Sequence, residues 1–183
     1  GKNYITNPDA ETDTTGYATY ADAAATTPVD GTGGSATTTF TRNTSTPLSG
    51  DGDFVITKDA ANRQGEGVGY NFSIDNAEKT KKHLISFDYS TSASYADNDI
   101  KVFIYDVTNT SLIRVNGEDL KAVTGTGKHY AQFQTASNST SYRLIIHVSS
   151  TNASAYTVNL DTIQVGPSKV THGTVATDWI EFT

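Results

Sequence analysis

Apolar residues recur at every second position in several short segments of this chain, and that period constrains the fold more than any other feature. The clearest case is residues 68–74, where Val68, Tyr70, Phe72 and Ile74 alternate with glycine and polar residues. Successive side chains of a strand point to opposite faces, so this alternation indicates a strand with one buried side. The same period is present in segments 83–90, 100–107, 129–135, 142–149 and 156–165.

Shorter strands are predicted at 4–6, 36–41 and 54–57, which brings the count to eight or nine. Residues 59–64 are the only segment that suits a turn of helix. At 183 residues the chain has the length of one domain with a full core. The sequence therefore predicts an all-β fold, namely a two-sheet antiparallel jelly-roll β-sandwich. An immunoglobulin-like sandwich is the alternative, but the Cys residues and the buried Trp typical of that fold are missing.

Two segments fall outside the predicted strands. Residues 12–35 are rich in Thr, Ala and Gly, and they predict a long loop over one edge of the sandwich. Residues 168–183 contain the only Trp and predict a linker or the start of a next module. We therefore expect a domain over residues 1–167. Because the chain contains no Met, we also expect it to be part of a longer polypeptide.

The charge of the chain narrows the classes of partner. A formal net charge of −7 and a pI near 4.9 argue against nucleic acid, because phosphate binding requires a basic surface. No run of 18 apolar residues is present, so no membrane insertion is expected. Without Cys, stability must come from the core or from a metal ion.

Both ends of the chain carry a motif that points to a family. Near the start lies Asn7-Pro8-Asp9-Ala10-Glu11, and near the end the strand 156–166 holds Asp161 within an apolar run. These motifs resemble those of the calcium-binding jelly-roll carbohydrate-binding modules, in particular families 4, 9 and 22. The resemblance spans residues 3–167 in pattern rather than in close identity.

The resemblance implies a structural Ca²⁺ held by Glu11 and Asp161, because in those families the first and last strands are neighbours. Asp9 is a further candidate ligand, and carbonyl oxygens after Asp9 or near residues 31–35 would complete the shell. Taken alone, the residue types favour two edge carboxylates without a metal, or a carboxylate that accepts a buried backbone hydrogen bond. Asp161 lies where the alternation changes parity, from Leu160 to Ile163, and such a change predicts a β-bulge.

The same parity argument predicts a ligand-binding face. If the strands 83–90, 100–107 and 142–149 share one sheet, their outward side chains offer rings, a carboxylate, a guanidinium and an imidazole. Sugar recognition needs rings that stack on C–H faces and planar polar groups that bind hydroxyls. The candidates are Phe103, Tyr105, Asp88, Arg143 and His147, with the loop aromatics Tyr95, Tyr17 and Tyr20 as walls. Alternatively, the rings form cross-strand pairs, are covered by a second subunit, or face the core.

Two functions follow from what this chain resembles, namely the carbohydrate-binding modules and, through its Thr-, Ser- and Asn-rich strands and residues 177–183, segments that join modules in phage tail and virion proteins. The first is a non-catalytic carbohydrate-binding module of a larger extracellular or phage virion protein, which attaches it to polysaccharide or cell-surface glycan beside neighbouring modules. The alternative is a structural or decorating module of a phage tail or capsid protein that mediates protein–protein assembly. No metalloprotease, hydrolase or thiol motif is present, so we expect no enzyme. A lyase that uses Tyr105, Arg143 and His147 is the catalytic alternative.

Overall fold

The structure is a computed structural model that describes residues 2–168, 170–171 and 174–175. The first of these ranges forms a β-sandwich, and the other two pair with each other as a separate two-stranded sheet. The strands within them are β1 (Tyr17–Ala21), β2 (Thr39–Asn43), β3 (Asp53–Lys58), β4 (Glu66–Ser73), β5 (Lys82–Thr91), β6 (Ile100–Asp106), β7 (Ser111–Ile113), β8 (Gly127–Gln134), β9 (Ser141–Val148), β10 (Tyr156–Pro167), β11 (Val170–Thr171) and β12 (Thr174–Val175). The helical content of these ranges is one 3₁₀ turn, Asn76–Glu78. No helix there has the length and hydropathy needed to cross a membrane.

Ten of the strands form two five-stranded antiparallel sheets packed face to face. The first sheet has the order β1-β4-β9-β6-β7 and the second the order β2-β3-β10-β5-β8. Each sheet turns its alternating apolar side chains toward the other, so Tyr70 and Phe72 of β4 are buried against residues such as Phe87 and Leu160. These two packed sheets confirm the predicted all-β jelly-roll sandwich. The prediction was possible because the period of two shows which side of each strand faces the core.

Several local predictions are wrong. β1 lies inside the predicted loop 12–35, because three of its five residues are Ala or Thr and its sequence shows no clear apolar alternation. β7 has only three residues and was not predicted. Residues 59–64 form no helix, and the 3₁₀ turn lies at Asn76–Glu78 instead.

The first residues run along β10 without forming the predicted strand 4–6. The backbone N–H of Tyr4 donates to the carbonyl of Val165 at 2.8 Å, and that of Ile163 donates to Pro8 at 2.8 Å. The side chain of Asn3 provides two further hydrogen bonds to the backbone of β10. It accepts from the Val165 N–H and donates to the Ile163 carbonyl, each at 3.0 Å. The first residues of the chain and β10 are therefore neighbours, as the family resemblance implied for the first and last strands.

The end of the predicted domain falls close to the end of β10 at Pro167. Most of the predicted linker 168–183, including Trp179, lies outside the described residues. The boundary therefore stays a prediction.

A histidine on the inner side of β8 makes the stability of this fold depend on pH. His129 is only 8% exposed, its ring lies 5.1 Å from that of Phe87, and its Nε2 has no hydrogen-bond partner within the described residues. Burial lowers the pKa of His129 to about 4, against the opposing effect of a hydrogen bond to the Gly117 backbone. Between pH 6.5 and 4 the unfolded chain therefore binds a proton that the folded chain does not bind.

We expect the wild-type protein to lose stability relative to His129→Phe as the pH falls from 7.5 to 4. The ionisation difference corresponds to a loss of up to about 3 kcal/mol in the free energy of unfolding. Urea unfolding curves of both proteins at several pH values measure this difference. Parallel pH profiles of the two proteins would show that His129 titrates normally in the folded state.

Candidate functional site

The outer face of the first sheet presents its side chains in rows that cross the strands. Asn71, Arg143, Tyr105 and Leu112 are opposite one another on β4, β9, β6 and β7 and form what we name the open row. The next row contains Phe103 and Ile145, and the row beyond it contains His147. The predicted outward orientation of Phe103, Tyr105, Arg143 and His147 is confirmed.

A compact loop covers two of these rows. We name residues 22–33 the Ω-loop. Its two ends lie close together at the end of β1, where the N–H of Ala21 donates to the carbonyl of Gly33 at 2.9 Å. The carboxylate of Asp22 holds the loop's shape, because its Oδ2 accepts from the N–H groups of Val29 and Gly31, each at 3.1 Å. Asp22 also attaches the loop to the rest of the domain, because its N–H donates to the Gly65 carbonyl at 2.9 Å.

The Ω-loop buries the side chains beneath it. His147 is fully buried, with one ring nitrogen bonded to the Tyr20 hydroxyl and the other 2.9 Å from the Ala25 carbonyl. Burial lowers the pKa of His147. Phe103 and Ile145 are also buried, and together with Tyr20 they form a small apolar cluster on this face. Gly31 lies so close to Ile145 that a Cβ there would come within 2.6 Å of its side chain, and its φ of +73° favours glycine.

The open row remains accessible. Arg143 stacks its guanidinium over the Tyr105 ring at 5.4 Å. Its Nε donates to Asn71 Oδ1 at 2.8 Å, and its Nη1 donates to the Asp30 carbonyl in the Ω-loop at 2.7 Å. Within the described residues, Arg143 Nη2, the Tyr105 hydroxyl and Asn71 Nδ2 make no hydrogen bond, and Arg143 has no carboxylate partner. These groups remain available to a ligand.

Two predicted ligand residues lie elsewhere. The proposed common sheet is wrong for β5, which pairs with β10 and β8, so Asp88 lies on the outer face of the second sheet, 3.8 Å from Lys128. Tyr95 is not a groove wall but part of the core, where its hydroxyl donates to the Leu120 carbonyl at 2.7 Å and accepts from Ile100 N–H at 3.0 Å. Alternation assigns a face to each strand, but it does not say which strands are neighbours.

The other two loop aromatics also have structural partners. Tyr17 belongs to β1 and packs against Phe40, Phe54 and Tyr70 with ring centroids 4.6 to 4.8 Å apart. Tyr20 lies under the Ω-loop. Sequence analysis did not identify Asn71 as a site residue, because a polar residue is expected at any outward position of an alternating strand. Its importance comes from the register that places it opposite Arg143.

The acids of the proposed calcium site reach one loop from two sides. Asp161 is fully buried at a bulge in β10, where the register shifts between Asp161 and Gln164, so the predicted bulge is confirmed. Its Oδ2 accepts from the N–H and hydroxyl of Ser49 at 3.0 and 2.8 Å. Glu11 Oε2 accepts from the N–H of Asp51 at 2.8 Å. Burial raises the pKa of Asp161, and hydrogen bonds from Ser49 and Thr162 oppose that effect.

The donor set fits a calcium ion in its carboxylates but not in its carbonyl groups. Two carboxylates near one loop supply the hard oxygen ligands that Ca²⁺ prefers. However, Arg42 donates to the carbonyls of both Ala10 and Glu11, the latter at 2.6 Å. Residues 31–35 are not at this site, because they lie beside Ala21 and Ile145. Asp9 is half-exposed, and its charge acts on the Tyr17 hydroxyl.

The histidines form no site for a transition metal within the described residues. No cluster of three or more His, Asp or Glu side chains suited to a metal ion occurs there. Burial lowers the pKa of His83 as well as that of His129 and His147. His172 lies outside the described residues. The three residues of the lyase alternative do not share one solvent-accessible site, because His147 is buried while Arg143 and Tyr105 face solvent.

No protein-family model matches this sequence, and no curated protein matches it in sequence comparison. Solved structures do match. The CBM22-1 xylan-binding domain of Paenibacillus barcinonensis Xyn10C superimposes with a TM-score of 0.60 and 17% identity, covering 90% of this chain and 94% of that one. A structure of CBM4 gives a TM-score of 0.54 and 14% identity over 84% of this chain and 95% of the other.

A phage protein shares the fold as well. The enzymatically active domain of tailspike protein 4 from bacteriophage CBA120 gives a TM-score of 0.58 and 9% identity, covering 90% of this chain but 21% of the tailspike chain. All three identities are too low to transfer more than architecture. This chain therefore has the fold of the jelly-roll carbohydrate-binding modules, and the resemblance read from the sequence is confirmed at the level of the fold.

Proposed function

We propose that this protein is a non-catalytic carbohydrate-binding module that holds a glycan on the open row. The observation that carries the proposal is the fixed pair of Arg143 and Tyr105 at the solvent-facing end of the first sheet. Two hydrogen bonds to Asn71 and Asp30 hold the guanidinium in place and leave Nη2 free within the described residues.

The chemistry of the open row suits a sugar. A guanidinium and an amide are planar donors that bind hydroxyl oxygens, and a tyrosine provides both an apolar ring and a hydroxyl. Leu112 extends the apolar surface at the β7 end, where it packs against the same cluster as Tyr105. The fold supports the proposal, since the xylan-binding domain and the CBM4 structure share it.

The Ω-loop limits the ligand to one part of the sheet. It covers Phe103 and His147, so these two predicted ligand residues are not available while the loop is in place. We therefore propose Arg143, Tyr105 and Asn71 as the binding residues and assign structural roles to the covered pair.

Tyr105→Ala is expected to weaken glycan binding at least tenfold, about 1.4 kcal/mol, because the ring and the support of Arg143 are both lost. A glycan array identifies the ligand, and isothermal titration measures the affinity of each variant. Tyr130→Ala is the matched control, since Tyr130 is also half-exposed on an outer sheet face and lies 6.0 Å from a cation, that of Lys128. Equal losses in both variants, or no loss in Tyr105→Ala, would contradict the proposed site.

We also propose that Ca²⁺ binds at Glu11 and Asp161 as a structural ion. It would neutralise a buried carboxylate that has no Lys or Arg ion-pair partner within the described residues. Asp9 stays a candidate for an outer ligand.

Removing calcium with excess EGTA is expected to lower the thermal midpoint, because a ligand at 100 times its Kd stabilises the native state by about 2.7 kcal/mol. Glu11→Gln should abolish this shift, whereas Glu118→Gln, also half-buried but beside Lys101, should retain it. Differential scanning calorimetry with and without Ca²⁺ measures both. An unchanged midpoint would reject the calcium site and leave Arg42 as the cation that ties residues 10 and 11 to β2.

The second candidate function is a structural or decorating module in a phage tail or capsid. The observation in its favour is that the same fold forms part of the tailspike chain. We also propose that the protein acts outside the cell or on a virion, and the shared fold with the tailspike chain supports this proposal. A glycan array without hits, together with a stable homo-oligomer in light scattering, would favour assembly over glycan binding.

A further inference from the structure

A second cleft adjoins the open row at the free edge of β4. It has a volume of about 410 Å³, and its walls include Lys2, Tyr4, Thr6, Asn71, Ser73 and Ser141. This volume falls within the range of about 300–1,000 Å³ that is common for ligand pockets. Asn71 belongs to both the cleft and the open row, so the two adjoin at this residue.

The cleft exists because two elements separate beside β4. Pairing between β1 and β4 ends at Tyr17 opposite Tyr70, so residues 71–73 have no strand partner on that side within the described residues. Residues 2–6 pass along this edge but pair with β10 instead. They touch the β4 side through two tyrosine hydroxyls: Thr6 N–H donates to Tyr70 at 3.0 Å, and Asp75 N–H donates to Tyr4 at 3.2 Å.

Several polar groups of the cleft have no protein partner. Nδ2 of Asn71 and the hydroxyls of Ser73 and Ser141 make no hydrogen bond within the described residues. The Tyr4 hydroxyl accepts one hydrogen bond and donates none there. Hydroxyl groups both donate and accept, so this lining matches the alternating donors and acceptors of a sugar.

The balance of charge at this cleft favours a neutral ligand. Lys2 forms an ion pair with Asp75 at 3.1 Å, and both side chains are more than half exposed. Such a pair adds little stability, but it cancels the charge at the mouth of the cleft. The remaining walls are amide, hydroxyl and ring groups.

We propose that this cleft is a second subsite that takes one neutral pyranose unit of a glycan whose neighbouring unit lies on the open row. The inference rests on the proposed glycan-binding function. It assigns Ser73, Ser141 and Asn71 to the second unit, and it requires a ligand of at least two sugar units for full affinity.

Ser73→Ile tests the subsite, because the larger side chain removes a hydroxyl, occupies part of the cleft and suits a strand. Ser90→Ile is the matched control, since Ser90 faces outward on β5 in the second sheet. Thermal unfolding of both variants confirms that they fold. The probes are neutral xylo- and gluco-oligosaccharides of one to six units and one uronic acid oligosaccharide, titrated into ¹⁵N-labelled protein with the Asn71 side-chain amide as reporter.

We expect Ser73→Ile to lose at least tenfold in affinity for oligosaccharides and to approach the affinity of the wild type for a monosaccharide. Ser90→Ile should bind like the wild type. If oligosaccharides depend on Tyr105 but bind Ser73→Ile normally, the subsite is refuted and the proposed function stands. Tighter binding of the uronic acid oligosaccharide, lost in Ser73→Ile, would refute the neutral class.

Failure of the proposed function gives a different result. In that case no oligosaccharide binding depends on Tyr105. Monosaccharide titration then still tests the cleft: saturable shifts of the Asn71 amide that vanish in Ser73→Ile support a sugar site. The absence of shifts at millimolar monosaccharide refutes it.

Discussion

The bulge in β10 sets the geometry of one end of the sandwich. Before the bulge β10 pairs with β3 and β5, and after it the β3 side is taken by the first residues of the chain. Thr162 adopts a φ of 52° at this point, a conformation that costs a Thr free energy and persists where surrounding contacts support it. The contacts here are the hydrogen bonds to Asp161 and from Ile163 to Pro8. The same bulge therefore places Asp161 at the loop that Glu11 reaches.

The parts of the fold that follow from residue alternation could be predicted, and the parts that depend on register could not. Alternation showed that Phe103 and Tyr105 face away from the core, and a change of parity located the bulge at Asp161. It could not show that β5 belongs to the second sheet, which removed Asp88 from the site. Sheet order depends on long-range pairing, and the sequence of each strand carries little of that information.

The burial of part of the outer face of the first sheet by the Ω-loop could not be predicted from the sequence either. The Ω-loop consists mainly of Ala, Thr, Gly and Asp, together with Pro28 and Val29, and such a composition is typical of exposed loops. It lies on the sheet because Gly31 permits close approach to Ile145 and because buried His147 finds an acceptor in the Ala25 carbonyl. A buried imidazole needs a hydrogen-bond partner. Because the loop supplies one, it can cover this face although the face carries the polar residue His147.

The Ω-loop also prepares the part of the face that it leaves open. Its Asp30 carbonyl holds Nη1 of Arg143, while Asn71 holds Nε, so a long and flexible side chain is fixed over the Tyr105 ring before any ligand arrives. Ordering an arginine on binding costs about 0.5–1.5 kcal/mol, and here that cost falls on folding instead. The loop thus reduces the area of the binding face and fixes the orientation of its main donor. A loop shortened by a few residues would enlarge the face but release Arg143, so size and preorganisation oppose each other at this site.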